Sequence, residues 1–493
     1  MDIVFTDSSC NTTNTEAALY SQDYFVTKFQ QARERATQSG HQILVSVTLP
    51  VASYDPLLLF AAFHELGLGE RFFWKREVDA RVLVGMGQAT TIETEGVERI
   101  SRAATAWREL RQDAIIEKVS DALPAYTSGP VLLGGFTFDT LTSRSGLWDD
   151  FPDGLLILPY MLFHADEDKA ALTVNALISA EDDCEARATT LFADLTHLWN
   201  AVQQVQAQSQ MATASSSMAP LTHDLLPAEQ WKQIVARGVE KIRSGAFEKV
   251  VLARGVQIVQ DAAFDVDATL RRLGEAYPGA YVFAIQRGER YFVGATPERL
   301  VCSEDGQIQT MALAGSAPRG ATDEEDQQFG VALLRDGKNQ GEHHFVVETI
   351  RDALLRLCSR VWMADGPRLL KLKNIQHLET PIMGDLLPGH SILEAIEHLH
   401  PTPAVGGYPR LPALAAIRED EQLDRGWYAG PIGWIGTGGN GEFAVALRSG
   451  LVDKQRATLF AGCGIVADSD PESEYQESCL KLQVMLRGLG GEK

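Results

Sequence analysis

The sequence predicts an α/β protein of the α+β kind, in which mixed or antiparallel β-sheets pack with helices on their outer faces. Predicted strands and helices alternate irregularly along the chain, whereas a doubly wound parallel fold needs regular strand–helix–strand units. A second observation is a hairpin. The apolar runs at residues 281–285 and 290–294 are joined by Gln286-Arg-Gly288, a short turn that makes consecutive strands antiparallel.

In the N-terminal part, short apolar runs predict strands, and longer polar-apolar periodicity predicts helices. The strands are placed at residues 43–49, 71–74, 80–85, 131–138, 155–163 and 170–177, and the helices at 55–65, 96–122 and 184–202. The Gln-, Ser- and Ala-rich segment that follows cannot bury a core and is typical of a flexible linker. We therefore divide the chain into residues 1–205, a linker at 206–220, and residues 221–490.

The C-terminal part begins with helical periodicity at residues 227–244 and an apolar strand at 249–254. A second helix is predicted at 267–276. Residues 312–319 are typical of a strand that breaks into a turn of small residues, whose backbone N–H groups can receive a carboxylate. A further helix is predicted to begin near Glu342.

The composition limits the partners of the protein. Its 493 residues are enough for a large core, and 44 Lys and Arg against 66 Asp and Glu give a net charge of −22. Such a charge repels nucleic acid and anionic membranes, so we expect neither as a partner. A small anionic substrate would depend on local positive charge or on a metal ion.

The cysteines and the first residues indicate a cytoplasmic protein. Six cysteines are scattered without CxxC pairs or zinc-ligand spacing, which is typical of reduced thiols in the cytosol. The first residues have neither the basic nor the apolar region of a signal peptide, and no apolar run is long enough to span a membrane.

The stretch 459–481 is the strongest candidate for a functional site. Its first half is a predicted strand in which Gly462 and Gly464 leave the backbone open to a ligand. Its second half begins a helix, with Asp470 as the cap and Pro471 at the first helical position.

On this helix Glu474, Glu477 and Lys481 fall at i, i+3 and i+7 and therefore share one face. Carboxylate oxygens satisfy Mg²⁺, while a lysine can meet a second negative group, so the cluster suits Mg²⁺ with an anionic ligand. A solvated acidic first turn, favoured by the helix dipole, is the alternative. An EF-hand is excluded because Ser473 and Cys479 replace the required glycine and glutamate.

Two further residues are candidates for acid–base chemistry. Lys249 begins an apolar strand, where a buried amine must pair or lose its proton and can then act as a general base. A lysine that snorkels from the strand end is the alternative. Glu298 follows Pro297 after a strand and can donate a proton if burial raises its pKa. A surface pair with the neighbouring Arg299 is the alternative.

Glu342 is a third carboxylate that would join Glu474 and Glu477 around a Mg²⁺ ion. The adjacent His343 and His344 do not suggest zinc, because neighbouring helical residues point about 100° apart.

The motifs of the C-terminal part form one ordered set from Leu221 to the end of the chain. They are Lys249-Val-Val-Leu-Ala-Arg, Gly294-Ala-Thr-Pro-Glu-Arg-Leu, Leu313-Ala-Gly-Ser, Gly341-Glu-His, Gln376-His-Leu, His400-Pro-Thr-Pro-Ala-Val-Gly-Gly, Tyr428-Ala-Gly-Pro-Ile-Gly, Ala446-Leu-Arg-Ser and the stretch 459–481. In this order they resemble the chorismate-utilising enzymes, the family of isochorismate, salicylate, anthranilate and aminodeoxychorismate synthases. The N-terminal Gly134-Gly-Phe-Thr-Phe-Asp139 is similar to menaquinone-pathway isochorismate synthases.

This resemblance implies one large unit in which two antiparallel β-sheets pack together inside outer helices, with the N-terminal part sharing the sheet core. It implies chorismate as the substrate and Mg²⁺ as the cofactor, held by Glu342 and Glu477 with help from Glu474. Lys249 would activate a water molecule, and Glu298 would protonate the leaving hydroxyl. The implied substrate-binding positions are Gly315, Ser316, His377, Ala404, Tyr428, Arg448, Gly462, Gly464 and Lys481.

Two residues indicate which reaction of this family to expect. A lysine at the position of Lys249 marks members that add water, and amine-adding members generally lack it. Ala404 stands where salicylate and anthranilate synthases usually carry threonine. We therefore expect an isochorismate synthase of menaquinone biosynthesis without a glutaminase subunit. The alternatives are a salicylate synthase, an amine-adding anthranilate or aminodeoxychorismate synthase, and a non-catalytic chorismate binder.

Overall fold

The computed structural model describes residues 21–76, 78, 80–118, 129–142, 144–166, 169–209, 221–371 and 375–491. The helices are α1 (Gln22–Ser39), α2 (Pro56–Glu65), α3 (Arg99–Arg111), α4 (Cys184–Ser209), α5 (Ala228–Arg243), α6 (Val266–Ala276), α7 (Asp323–Arg335), α8 (Gly337–Leu354), α9 (Ile392–Leu399), α10 (Arg410–Asp420) and α11 (Pro471–Gly488). The strands are β1 (Ile43–Val51), β2 (Arg71–Arg76), β3 (Arg81–Met86), β4 (Thr90–Thr94), β5 (Ile115–Lys118), β6 (Val131–Phe136), β7 (Gly154–Leu158), β8 (Met161–Ala165), β9 (Ala170–Ile178), β10 (Leu221–Asp224), β11 (Lys249–Val259), β12 (Tyr281–Arg287), β13 (Arg290–Thr296), β14 (Arg299–Glu304), β15 (Gln307–Pro318), β16 (Cys358–Met363), β17 (Arg368–Lys371), β18 (Ile375–Leu386), β19 (Gly407–Tyr408), β20 (Pro431–Gly436), β21 (Gly441–Val445), β22 (Ser449–Asp453) and β23 (Arg456–Ile465).

These strands form two large sheets. The first sheet has the order β10-β11-β23-β22-β13-β12-β2-β3-β8-β9-β1-β5, with β19 paired to β11. The second has the order β16-β18-β15-β14-β21-β20-β6-β7-β4, with β17 paired to β18. Among the described strands, every pairing is antiparallel except that of β1 with β5. The predicted fold class, with two antiparallel sheets, is confirmed.

Strands from both parts of the chain build each sheet. In the first sheet β2 pairs with β12, and in the second sheet β6 pairs with β20, where Gly134 lies opposite Gly433. Neither glycine has room for a side chain, because a Cβ at Gly134 would lie 1.9 Å from the carbonyl oxygen of Leu155 and one at Gly433 would lie 2.0 Å from that of Glu442. The glycines therefore allow β6 to lie close to β7 and β20 to lie close to β21 on either side of this junction.

The main core lies between the sheets. Successive residues of a strand point to opposite faces, and β2 shows the result. Phe72 and Trp74 belong to the core between the sheets, whereas Phe73 belongs to a second core. Phe25 of α1 and Phe60 of α2 pack into that second core. The helices thus cover the outer face of the first sheet.

The predicted helix at 96–122 is wrong at residues 112–118, and residues 119–122 lie outside the described residues. Helix α3 ends at Arg111, and residues 115–118 form β5, which pairs with β1 in parallel. The β-branched Ile115 and Ile116 favour a strand, and the open edge of the first sheet accepts it.

The predicted strand at 155–163 is also wrong, because it is two strands. Strand β7 ends at Leu158 in the second sheet, and β8 begins at Met161 in the first. Pro159 separates them, since proline has no N–H to continue a ladder of hydrogen bonds.

The predicted helix at 184–202 continues to Ser209 as α4. Residues 206–209 of the predicted linker are therefore helical, and residues 210–220 lie outside the described residues. A search of the helices in the described part of the chain finds none with the length and apolar character needed to cross a membrane.

Candidate active site

The candidate site lies at the start of β11, where this strand pairs with β19 on one side and with β23 on the other. Lys249, the first residue of β11, is opposite Tyr408 of β19. On the other side β11 runs antiparallel to β23, with Val251 opposite Gly464. Helix α11 follows β23 and packs against it. The fold therefore brings Lys249 to the stretch that the sequence indicated as functional.

The two glycines of β23 make room for other side chains of the protein. A Cβ at Gly464 would lie 3.1 Å from Cε of Lys249, and one at Gly462 would lie 3.2 Å from the hydroxyl oxygen of Tyr428. Tyr428 is buried, and its ring stacks on that of Phe460 with 5.2 Å between centroids. We predicted open backbone at these glycines, but Lys249 and Tyr428 take up the adjacent space.

Helix α11 begins as the sequence predicts. Asp470 caps it by accepting a hydrogen bond from the Ser473 N–H at 2.9 Å, and Pro471 is its first residue. Glu474 and Glu477 consequently lie in the first two turns, next to the end of β23.

Glu474 and Glu477 converge with Cys463. One carboxylate oxygen from each glutamate and the Sγ of Cys463 all lie within 4.8 Å of one another. Burial raises the pKa of Glu474, and the Glu477 carboxylate raises it further, against a hydrogen bond from Ser469 that lowers it. Burial also raises the pKa of the Cys463 thiol to about 12. The group thus offers two carboxylates beside a thiol that keeps its proton at neutral pH.

Lys481 lies in the next turn of α11 and contacts the cluster of Cys463, Glu474 and Glu477. Its Nζ donates to the carbonyl oxygen of Gly462 at 2.9 Å and lies 2.5 Å from Oε1 of Glu477. The shared face predicted from the spacing of Glu477 and Lys481 is therefore present in the structure.

Glu342 pairs with Lys249 and does not join the other two glutamates. Its Oε1 lies 3.1 Å from Nζ of Lys249, and the two side chains are 36% and 20% exposed. Among the described residues, the ligand atoms that converge come from Cys463, Glu474 and Glu477 without Glu342. The Lys249 amine is thus paired, which is one of the two states that the sequence allowed for it.

Glu298 lies between β13 and β14, where its backbone carbonyl accepts a hydrogen bond from the Val445 N–H at 2.9 Å. Burial raises the pKa of its carboxyl to about 7. Lys249, Arg448 and Lys481 face it and oppose that rise, since each cation favours the carboxylate. Glu298 is therefore a carboxylic acid that keeps its proton up to nearly neutral pH.

If Glu298 acts as an acid, kcat/KM should fall as the pH rises through about 7, because the proton it donates is then lost. A pH profile of kcat/KM checks this, since that quantity reports the groups of the free enzyme. A profile without a falling limb near this pH would contradict the role.

The same raised pKa predicts an effect on stability that needs no turnover. Between the ordinary pKa of 4.5 and about 7 the unfolded chain ionises at Glu298 while the folded protein keeps the proton. The stability of the wild type therefore falls through this window. We expect the melting temperature of Glu298→Gln, relative to wild type, to increase from pH 4.5 to 7 and to stay constant above it.

The alternative partner of Glu298, its neighbour Arg299, is engaged elsewhere. The Nε of Arg299 lies 3.0 Å from Oε1 of Glu442 and donates to the hydroxyl of Tyr281 at 2.8 Å. Glu442 and Tyr281 are both buried. The surface pair considered from the sequence is therefore replaced by a pair between Arg299 and Glu442.

Arg448 brings a cation to the cleft. It has a positive φ of 48° and is the last residue of the segment that connects β21 to β22. Its guanidinium faces Tyr428, Glu477 and Glu298, and burial lowers the pKa of Arg448. Within the described part of the chain, this guanidinium has no hydrogen bond or ion pair, so its donors are available to an anionic ligand.

His377, Ser316 and Gly315 lie together where β15 pairs with β18. The Oγ of Ser316 is 2.8 Å from Nδ1 of His377, and Gly315 has a φ of +74° at a bulge in β15. The predicted turn after residue 312 is therefore wrong, because β15 continues through this bulge to Pro318. Burial lowers the pKa of His377, and Lys481 and Lys249 lower it further. The His377 ring thus faces the two lysines of the cleft.

Ala404 lines a small pocket that also contains Glu298, Leu313 and Thr402. The structure therefore brings Ala404 next to the proposed acid. The hydroxyl of Thr402 is buried and has no hydrogen-bond partner among the described residues.

Three residues at or near the site were not predicted from the sequence, namely Cys463, Thr402 and Glu442. Cys463 lies between two glycines that were already singled out, so its position was a usable signal. Glu442 is a glutamate in an otherwise apolar strand, and a charge in such a run is typical of a buried ion pair. No signal in the sequence indicates the unpaired hydroxyl of Thr402.

The chain matches the family model described as "Chorismate binding enzyme" over residues 28–490. It belongs to this family of chorismate-binding enzymes, which confirms the resemblance drawn from the motifs. The match spans both the part before residue 205 and the part after residue 221.

Comparison with individual proteins shows which members of this family are similar to the chain. The chain is 38% identical over 464 residues to the isochorismate synthase MenF of Bacillus subtilis, covering 94% of this chain and 97% of that protein. It is 36% identical over 470 residues to the salicylate biosynthesis isochorismate synthase of Pseudomonas aeruginosa, covering 94% of each. The solved structure of MenF from Escherichia coli, the menaquinone-specific isochorismate synthase, shares the fold with a TM-score of 0.71 and 24% identity, over 94% of this chain and 99% of that chain.

Proposed function

We propose that this protein is an isochorismate synthase, which converts chorismate into isochorismate. The observation that carries the proposal is the position of Glu298, whose burial raises the pKa of its carboxyl to about 7 and which faces Lys249 in the cleft. An acid that keeps its proton near neutral pH, close to a lysine, suits a reaction that removes one hydroxyl group and adds another. The names of the two relatives with 38% and 36% identity support the same activity.

Chorismate is a dianion, and the cleft supplies the positive charge that the protein as a whole lacks. Arg448 and Lys481 are assigned to its carboxylates, because both face Glu298 in the cleft and a guanidinium can bind a carboxylate through two donors. The Tyr428 hydroxyl and the pair of His377 with Ser316 are assigned to the polar groups of the ring. Gly462 and Gly464 leave room for Tyr428 and Lys249, and these two glycines and Gly315 are assigned to the substrate-binding positions.

The residues present fit a Mg²⁺ ion. The carboxylates of Glu474 and Glu477 already converge, and a hard cation prefers such oxygen ligands to the neutral thiol of Cys463. Glu342 is assigned as the third carboxylate, since it lies in the same cleft beside Lys249. When bound, Mg²⁺ would offset the negative charge of a substrate carboxylate.

In the proposed reaction Lys249, in its neutral amine form, accepts a proton from a water molecule while the water oxygen bonds to C2 of the ring. The ring double bonds shift and the bond between C4 and its oxygen breaks. Glu298 gives its proton to the departing hydroxyl, which leaves as water. Acid or base assistance of this kind is typically worth about 10²- to 10⁴-fold in rate.

We assign the activity to menaquinone biosynthesis in the cytoplasm. The N-terminal motif at residues 134–139 is similar to synthases of that pathway, and the described cysteines are free thiols, as expected in a reducing compartment. The proposed water-adding chemistry needs no glutaminase subunit. A deletion strain that retains its menaquinone would contradict the pathway.

Product analysis tests the activity. With chorismate and Mg²⁺ we expect isochorismate in equilibrium with chorismate, negligible salicylate and no dependence on ammonia. Ala404 lines the pocket at Glu298 without a hydroxyl group that would hold the ring for loss of pyruvate. Chromatography of a fresh reaction separates the products, and enzyme-dependent salicylate as the main product would contradict the proposal.

A further inference from the structure

The first half of α8, from Gly337 to Phe345, carries Glu342 but has little packing of its own. Gly337 and Gly341 lie in it, and a Cβ at either position would meet no heavy atom within 4 Å apart from its own helix backbone and chain neighbours. Glycine also weakens a helix, because it loses more backbone freedom on folding than any other residue. The two glycines therefore do not fix the half of α8 that carries Glu342.

One buried side chain attaches this half of α8 to the second sheet. Among the side chains described between Gly337 and Phe345, His343 alone is buried, with 2% of its surface exposed. Its Nε2 lies 2.7 Å from Oγ1 of Thr380, a residue of β18 that is 3% exposed. A hydrogen bond between buried groups is costly to break, because the group that remains is left without a partner. The pair of His343 and Thr380 thus fixes the first half of α8 against β18.

Glu342 is the residue directly before His343. Adjacent side chains of a helix point about 100° apart, so the His343 ring can lie against β18 while the Glu342 carboxylate points to the side. Its Oε1 lies 3.1 Å from Nζ of Lys249, the first residue of β11. Glu342 therefore reaches from a helix packed on the second sheet to a strand of the first.

We propose that His343 is a positioning residue that, through its hydrogen bond with Thr380, holds Glu342 in place beside Lys249 for the metal site. The inference rests on the proposed function, in which Glu342 is the third carboxylate for Mg²⁺. His343 itself touches neither the ion nor the substrate. Loss of a residue that orients the ligands of a metal typically lowers the metal affinity about 10- to 100-fold.

The substitution Thr380→Val removes the hydroxyl group and keeps the shape of the side chain. The His343 ring then loses its partner on β18, the first half of α8 opens more often, and Glu342 is in place for a smaller part of the time. We expect Mg²⁺ to bind about 10-fold more weakly, which calorimetry with Mg²⁺ alone measures. Thr380→Ser keeps the hydroxyl group and should bind Mg²⁺ with the wild-type affinity.

A double-mutant cycle shows whether the effect depends on Glu342. Glu342→Gln alone should weaken Mg²⁺ binding, since it removes a ligand charge. Adding Thr380→Val to Glu342→Gln should weaken it little further, because the residue that is held in place no longer carries that charge. The inference would be overturned by an equal loss from Thr380→Val in both backgrounds, or by wild-type Mg²⁺ affinity in either folded single variant.

Thr173→Val is the matched control. Thr173 is also a buried threonine of a strand beside a buried histidine, with its Oγ1 3.3 Å from Nε2 of His164 and 2.9 Å from Oγ1 of Thr48. It belongs to β9, which lies far along the first sheet from β11. Its Mg²⁺ affinity should equal that of the wild type whatever its stability. A loss as large as that in Thr380→Val would reflect stability alone and would overturn the inference.

If Thr380→Val does not fold, variants of His343 provide the test. His343→Gln keeps an N–H group near the position of Nε2 and should bind Mg²⁺ nearly as the wild type does, whereas His343→Leu should bind it about 10-fold more weakly. Equal affinities in these two variants would overturn the inference. Failure of the proposed function would show as absent turnover of chorismate by the wild type, whereas failure of this inference would show in the Mg²⁺ affinities of the variants.

Discussion

The substitution Lys249→Ala is expected to lower kcat at least about 10²-fold while chorismate still binds, because it removes the base of the chemical step. The Nζ of Lys249 lies in the cleft, 3.1 Å from Glu342 and next to the backbone at Gly464. An alanine leaves no amine at this place. Steady-state kinetics at saturating Mg²⁺ give kcat, and calorimetric titration with chorismate gives the affinity.

Lys454→Ala is the control for this variant, because Lys454 is an exposed lysine whose Nζ is 3.5 Å from Glu289. It should retain the wild-type kcat. Nearly normal kcat in Lys249→Ala would contradict the assignment of the base, and Lys249 would then be a lysine that only pairs with Glu342.

Removal of divalent cations with EDTA is expected to abolish turnover, and added Mg²⁺ is expected to restore it. Glu474 and Glu477 already lie close together, and without a cation they repel each other and the dianionic substrate. Activity assays in metal-free buffer, before and after addition of Mg²⁺, measure the effect. Full activity in metal-free buffer would contradict the metal site.

Glu477→Gln should weaken Mg²⁺ binding and lower turnover together, since it removes one ligand charge. Glu472→Gln is the matched control on the same helix, because Glu472 is exposed and pairs with Lys232 at 2.6 Å. Calorimetry with Mg²⁺ alone should show weaker binding for Glu477→Gln and unchanged binding for Glu472→Gln. Equal Mg²⁺ affinities in both variants would show that Glu477 is not a metal ligand.

The local parts of this site could be predicted from the sequence because their signals are local. Asp470 and Pro471 fix the start of α11, and the helical period then places Glu477 and Lys481 on one face. The hairpin of β12 and β13 likewise followed from a short turn between two apolar runs.

Contacts between distant segments could not be predicted from residue patterns alone. Lys249 and Glu342 are 93 residues apart and meet only because α8, which packs on β15 and β18 of the second sheet, brings Glu342 to the start of β11. Arg299 pairs with Glu442 in place of its neighbour Glu298, and that choice depends on burial between two sheets. The resemblance to a known family supplied what local patterns could not, by naming residues from separate segments as parts of one site.

The errors in the predicted strand at 155–163 and the predicted helix at 96–122 also arise because contacts between distant segments cannot be seen in the sequence. Whether residues 155–163 form one strand or two depends on which sheet each half can join, and the sequence shows only that both halves are apolar. The end of the predicted helix at 96–122 became β5 because β1 offers a free edge. Neither sheet edge can be recognised before the fold is known.

In the proposed mechanism the protein forms isochorismate by adding a hydroxyl group from water. The most direct measurement is the reaction of chorismate with Mg²⁺ in H₂¹⁸O, followed by mass spectrometry of the separated products. We expect isochorismate with one ¹⁸O atom in its C2 hydroxyl and, through the reverse reaction, chorismate labelled at C4. Isochorismate without the label would contradict the addition of water, because the hydroxyl group would then have moved within the substrate.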